Sequence, residues 1–164
     1  MAKGKGQDEK RHTPRIVNRK ARHDYHIMEV VECGLALTGT EVKSLRAGQA
    51  KIDEAYARLR DGQAFLVGAN IALYPQAAPT LQHEPARDRK LLIHRRQLAS
   101  LEQHIRQKGQ TLVPLAVYFK GAWAKCEIGL AVGKRQFDKR DDLRRKEHQR
   151  EMDRHMRRGR RGGS

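Results

Sequence analysis

Apolar and polar positions along residues 23–133 alternate in short runs, the spacing of strands rather than of long helices. From Tyr25 to Val31 the chain is rich in residues that suit strands. Over 54–60, Ala55, Ala57 and Leu59 alternate with Tyr56, Arg58 and Arg60. Asp61-Gly62 then supplies a tight turn into 63–71, where Phe65, Val67, Ala69 and Ile71 are expected to form the apolar face. Leu91, Leu92 and Ile93 read as a short extended piece. A second hairpin is predicted over 111–119 and 122–130, turning at Lys120-Gly121. In it Val113, Leu115, Val117 and Phe119 face Ala122, Ala124, Cys126, Ile128 and Leu130, while Trp123, Lys125 and Glu127 lie on the outer side. Pro114 has no N–H to give a ladder, so its strand should be an edge or carry a bulge there.

Three short helices interrupt the strands. Asn18 can cap a basic turn over 19–23. Thr38 and Glu41 have capping-box spacing before a helix that stops at Gly48, with Val42 and Leu45 on one face and Lys43 and Arg46 on another. Those two cations read either as an ordinary solvated face or as phosphate contacts. Over 95–108, Leu98, Leu101 and Ile105 make one stripe, and Gly109 stands where a C-terminal cap belongs. About six antiparallel strands with helices packed at the openings predict a mainly β fold, a small barrel of the oligonucleotide-binding type.

Charge divides the chain differently. Of a formal net charge of +16, residues 1–22 carry +6, 134–164 carry +7, and the long middle only +3. The 164 residues therefore divide into a basic N-terminal arm over 1–17, one domain over 18–133 and a basic tail over 134–164, both arms disordered when free. Lys and Arg held in arms attract a phosphate backbone whatever its sequence, so a nucleic acid is the first partner to consider. A pI near 10.4 argues against a small acidic metabolite. The arms lack the apolar face of an interfacial helix, and no apolar run reaches the ~20 residues of a membrane span, so no membrane partner is expected. The N-terminus shows no hydrophobic signal core, and a cytoplasmic setting is expected. Cys33 and Cys126 stand far apart outside any C-x-x-C pattern and read as two small buried hydrophobes, with no cofactor or metal implied.

No P-loop, G-x-S-x-G or H-E-x-x-H is present, and Gly133-Lys134 lacks the glycine spacing and the following hydroxyl of a phosphate-cradling loop, so an enzyme is not expected. A general RNA chaperone, a ribosomal protein and an RNA-free adaptor remain open on these grounds.

Four strings narrow the choice: Asn18-Arg-Lys-Ala-Arg-His-Asp-Tyr25, the stretch from Gly34 to Gly48, Arg89-Lys-Leu-Leu92, and Gly133-Lys-Arg-Gln-Phe-Asp-Lys-Arg140. In order and spacing they resemble the SsrA-binding protein (small protein B) family. The resemblance implies a bacterial protein, a monomer when free, that partners transfer-messenger RNA in trans-translation and delivers it to stalled ribosomes. It implies a barrel that grips the tRNA-like domain of that RNA through Asn18, Arg22, Tyr25, Glu32, Leu92, His94, Lys125, Ala131 and Gly133. Many relatives have Asn where His94 stands, and Lys where Val132 stands. It further implies a tail that turns helical in the empty messenger channel, with Lys134, Arg135, Phe137, Asp138, Lys139, Arg140, Met152 and Met156 meeting the decoding centre and the channel.

The tail's own chemistry is compatible. After Arg140 nearly every residue favours helix, and Asp141, Asp142 and Asp153 each precede a cation by four residues. Leu143, Met152 and Met156 are too few to hold such a helix against a barrel, so it is predicted to form on an anionic partner. Phe137 combines a stacking face with flanking cations, the pairing that single-stranded RNA recognition uses.

Overall fold

The structure, a computed structural model, describes residues 13–107, 109–134 and 136–161, with the main chain alone at 136–140 and 159–161. Its elements are β1 (Ile16–Val17), α1 (Arg19–Asp24), β2 (Tyr25–Leu35), α2 (Gly39–Arg46), β3 (Ala50–Lys51), β4 (Tyr56–Arg60), β5 (Gln63–Val67), β6 (Asn70–Ile71), a 3-10 turn (Pro79–Leu81), β7 (Arg89–Leu92), α3 (Arg95–Ile105), β8 (Gln110–Lys120), β9 (Trp123–Gly133) and α4 (Gln136–Arg161). Six strands pair antiparallel in the order β8-β4-β5-β7-β2-β9, and β9 returns to β8, so the ring closes. β1 adds to β8, and β3 with β6 forms a small separate ladder. The expected barrel of six strands and three helices is thus present, and α4 extends from it.

Leu45, Leu66, Leu101, Leu112, Ile128 and Leu130 fill the interior, each at most 2% exposed. Burying one such side chain stabilises by about 1.5–3 kcal/mol. Leu98 and Ile105 pack beside Leu101 from the stripe of α3. A smaller cluster of Ala21, Val113, Leu115 and Ala131, with Tyr25 and Ile27 against it, lies beneath α1 on the other side of the sheet.

Several boundaries depart from the alternation. β2 runs on to Leu35, because β9 pairs with it from Tyr25 to Gly34 and β7 takes up Gly34 and Leu35. The segment expected as one strand over 63–71 breaks at Gly68, whose φ of 78° lies in the left-handed region. The break reverses the face: Ala64 and Leu66 are buried ahead of it, Ala69 and Ile71 after it, and Phe65 and Val67 are half-exposed. Phe65 carries Arg60 over its ring, 5.2 Å from the centroid. The second hairpin turns at Gly121-Ala122, since Lys120 pairs with Trp123. Pro114 does carry a bulge: the register shifts between Pro114 and Ala116. That shift sends Val113 and Leu115 to the cluster under α1 and leaves Val117 in the main core, so these three do not share one face. α3 ends at Ile105, and Lys108 lies outside the described residues.

A buried ionic cluster joins the helix and loop layers. The Thr38 N–H donates to Glu41 Oε2 at 2.9 Å, the helix-starting contact its spacing predicts. Glu41 also accepts from Arg87 Nε and Nη2, both at 2.7 Å, and from Arg89 Nε at 2.9 Å. The remaining Arg89 donors reach the carbonyls of Ala69, Arg87, Pro85 and Glu84. Burial alone would raise the Glu41 carboxyl, but Arg87, the Thr38 N–H and Arg89 outweigh it and hold it at about 2.

Candidate nucleic-acid interface

The β2–β9 ribbon is the spine of the surface. Tyr25 pairs with Gly133, Ile27 with Ala131, Glu32 with Glu127 and Gly34 with Lys125. Five of the expected contact residues, Tyr25, Glu32, Lys125, Ala131 and Gly133, therefore belong to one two-stranded element. They fall into two groups at its two ends.

At one end Asn18, Arg22, Tyr25, Ala131 and Gly133 gather about α1. Asn18 is 2% exposed, and its side chain is fully occupied. Its Oδ1 accepts from the Ala21 N–H at 3.0 Å, and its Nδ2 donates to the Ile52 and Pro114 carbonyls at 3.1 and 2.9 Å. It caps α1 and ties that helix to β8, so it shapes the surface rather than presenting its own amide. Ala131 is likewise buried, in the cluster it shares with Ala21 of α1. Arg22 is exposed and Tyr25 half-buried, its ring resting on the small cluster. Gly133 is exposed and leads to Lys134, whose N–H donates to the Asp24 carbonyl at 3.0 Å. Lys134 Nζ reaches the Arg22 carbonyl at 3.4 Å and pairs with Asp142 in the first turns of α4. The Asp142 carboxyl is held below its ordinary value, first by Lys134 and then by Arg145 and Lys146.

At the other end a transverse row crosses the outer face. Leu92 of β7 lies opposite Gly34 of β2, Gly34 opposite Lys125 of β9, and Lys125 opposite Tyr118 of β8. Arg15, just before β1, covers the Tyr118 ring at 4.6 Å. Gly34 is needed for the row to be flat, because a Cβ there would stand 3.1 Å from Leu92 Cβ. Leu92 is 53% exposed, on the outer side of β7 with Lys90, while Arg89 and Leu91 turn inward. His94 is exposed beyond it and caps α3 through its carbonyl, which accepts from the Leu98 N–H at 2.9 Å.

Two residues along, Glu32 faces Glu127 directly, an unfavourable arrangement for like charges. Each is compensated separately. Glu32 accepts a hydrogen bond from the Tyr118 hydroxyl and lies 3.6 Å from Lys120 Nζ, and Glu127 pairs with Arg15 at 2.7 Å. The Tyr118 hydrogen bond leads in holding the Glu32 carboxyl below its ordinary range, and Lys120 and Lys125 add to it. Tyr118 is raised to about 12, by burial first and by Glu32 next.

Arg15 and Tyr118 carry no signal in the sequence pattern. Arg15 falls in the segment read as a solvated arm, yet Ile16 and Val17 pair with Val117 and Ala116. Lys43 and Arg46 are cations over rings, Lys43 at 5.2 Å from Tyr74 and Arg46 at 4.4 Å from Phe119. Cys33 and Cys126 are buried free thiols, as their isolation predicts, and the hydrogen-bonding contact with Cys33, then burial, raises the Cys126 thiol. On α4, Met152 and Met156 are exposed, and so is every residue from 143 to 158. Arg135 lies outside the described residues, and of Phe137, Asp138, Lys139 and Arg140 only the helical main chain is described. Among the described residues no helix is long and apolar enough to cross a membrane.

Comparison with known proteins places the chain among relatives of one kind. The family model described as SmpB protein matches residues 15–158. An SsrA-binding protein of Roseiflexus sp. (strain RS-1) is 51% identical over 84% of this chain and 87% of its own. That of Thermobifida fusca (strain YX) is 49% identical over 98% of this chain and 100% of its own. A solved chain described as "tmRNA-SmpB: a journey to the center of the bacterial ribosome" is 46% identical, with a TM-score of 0.64 over 80% of this chain and 96% of the other.

Proposed function

The chain belongs to the SmpB protein family, and on that premise we propose that it binds transfer-messenger RNA and carries it to stalled ribosomes for trans-translation. The observation that carries this reading is the family match over residues 15–158, which takes in the outer face of the barrel and most of the tail. The barrel grips the tRNA-like domain. Arg22 and Lys125 neutralise phosphate, Tyr25 stacks on an unpaired base, and Glu32 accepts hydrogen bonds from a base edge or a 2′-hydroxyl. Leu92 and His94 extend the Lys125 row, while Asn18, Ala131 and Gly133 set the path of the chain beside α1.

The tail is the second functional unit. Beyond Asp142 its helix touches little of the barrel, and an isolated helix without a packed face is marginal in water. It frays in the free protein and becomes continuous in the messenger channel, where the RNA supplies neutralisation. Lys134, Arg135, Phe137, Asp138, Lys139 and Arg140 meet the decoding centre, and Met152 and Met156 give the helix one apolar contact further in. The work is binding and delivery in the cytoplasm, with no chemical step assigned to the protein.

The decisive experiment is recovery of the protein from a cell lysate and sequencing of the RNA bound to it. One dominant RNA with a tRNA-like end is expected, and a broad mixture of tRNA and ribosomal RNA would refute the reading in favour of a general RNA chaperone.

A further inference from the structure

Trp123, the chain's single tryptophan, is 74% exposed and stands first on β9, opposite Lys120 across the two-residue Gly121-Ala122 turn. Along β9, Ala124 and Cys126 turn to the core, which puts Trp123 on the outer face with Lys125. Lys120, its cross-strand neighbour, is 70% exposed. A lone exposed apolar residue is ordinary on a protein surface. An exposed indole on a strand, with a lysine opposite it and another two residues along the same face, is a different arrangement. Indole offers a flat π face to any base, the strand and tight turn hold it with little further loss of freedom, and a base laid on it brings its phosphates within reach of Lys120 and Lys125.

We infer that Trp123 is a stacking platform for an unpaired nucleobase of the bound RNA, with Lys120 and Lys125 taking the adjoining phosphates. This rests on the RNA-binding reading above and extends the contact surface past Lys125 to the tip of the β8–β9 hairpin. The class of ligand is a looped or single-stranded nucleotide, because a base inside a duplex has no free face to offer.

The emission of Trp123 tests this without modifying the protein. Titration with a transcript of the tRNA-like domain is expected to quench it with the same Kd as a filter-binding measurement. A blunt RNA duplex of equal length should leave it unchanged. Trp123→Ala should bind the transcript about 5- to 150-fold more weakly with an unaltered melting temperature, and Trp123→Phe should retain most of the affinity. Saturated binding with unchanged emission, equal quenching by the duplex, or Trp123→Ala binding within twofold of the parent would each overturn the inference. Quenching that follows protein concentration without RNA would assign the ring to self-association and overturn it as well. If the parent chain bound no transcript at all, the RNA-binding reading would fail and this inference with it.

Discussion

Arg89 and Glu41, 48 residues apart, meet inside the protein with both side chains fully buried and Nε 2.9 Å from Oε1. The contact pins α2 to the start of β7, and the other Arg89 donors hold the loop before β7 by its carbonyls. Removing Arg89 leaves buried Glu41 with Arg87 as its remaining cation and strips the Ala69, Glu84, Pro85 and Arg87 carbonyls of their donor. Arg89→Leu is therefore expected to lose about 3–5 kcal/mol of stability in denaturant unfolding.

The same cluster sets an acid limit. Glu41 is held at about 2 against an ordinary value of 4.5, so its carboxylate stabilises the fold above 4.5, and the contribution is lost as pH falls from there through about 2. The difference corresponds to about 3 kcal/mol at neutral pH. Glu41→Gln should be less stable at pH 7 and should show a flatter stability profile between pH 5 and about 2. Chemical denaturation at a series of pH values reads both effects.

Asn18→Ala removes the cap of α1 and leaves the Ile52 and Pro114 carbonyls without that donor. A loss of about 2–4 kcal/mol is expected from these together. Its RNA affinity should recover on cooling to a temperature where the variant is fully folded and α1 is in place. Affinity that stays low in the folded variant would mean that the side chain itself meets the RNA.

Tyr118→Phe deletes the hydroxyl that leads in lowering Glu32. The Glu32 carboxyl should move up toward its ordinary value, an outcome that NMR titration of the side chain reads directly. RNA affinity should then begin to fall at a higher pH than in the parent, because Glu32 protonates earlier.

Phe137→Ala should leave transfer-messenger RNA binding nearly intact and impair peptide tagging on stalled ribosomes. Normal tagging by that variant would remove the stacking role.

Local chemistry was legible wherever one residue type has one physical use. The Thr38–Glu41 cap, the Pro114 bulge, the Asp61-Gly62 turn and the α3 stripe all follow from spacing. Phe65 and Val67 misled because apolar alternation continues smoothly through Gly68, and only the backbone at Gly68 reveals the change of phase. Arg89 was hidden for another reason: a charged residue in a strand reads as exposed unless its partner is known, and Glu41 lies on a different element. At the candidate interface Lys125 and Trp123 were placed on the outer face by alternation alone. The Gly34–Leu92 approach and the Arg15–Tyr118 contact depend on which strands become neighbours, information that no single strand contains.

β9 begins at Trp123 beside the hairpin tip and ends at Gly133 beside Tyr25, and its 11 residues span at most about 36 Å. β1 joins the barrel near the first of these ends, and α4 leaves from the second. The strand is thus a ruler: wherever the hairpin end seats on a large RNA, the origin of the tail is already decided to within the length of one strand, and the search for its channel starts from a known distance.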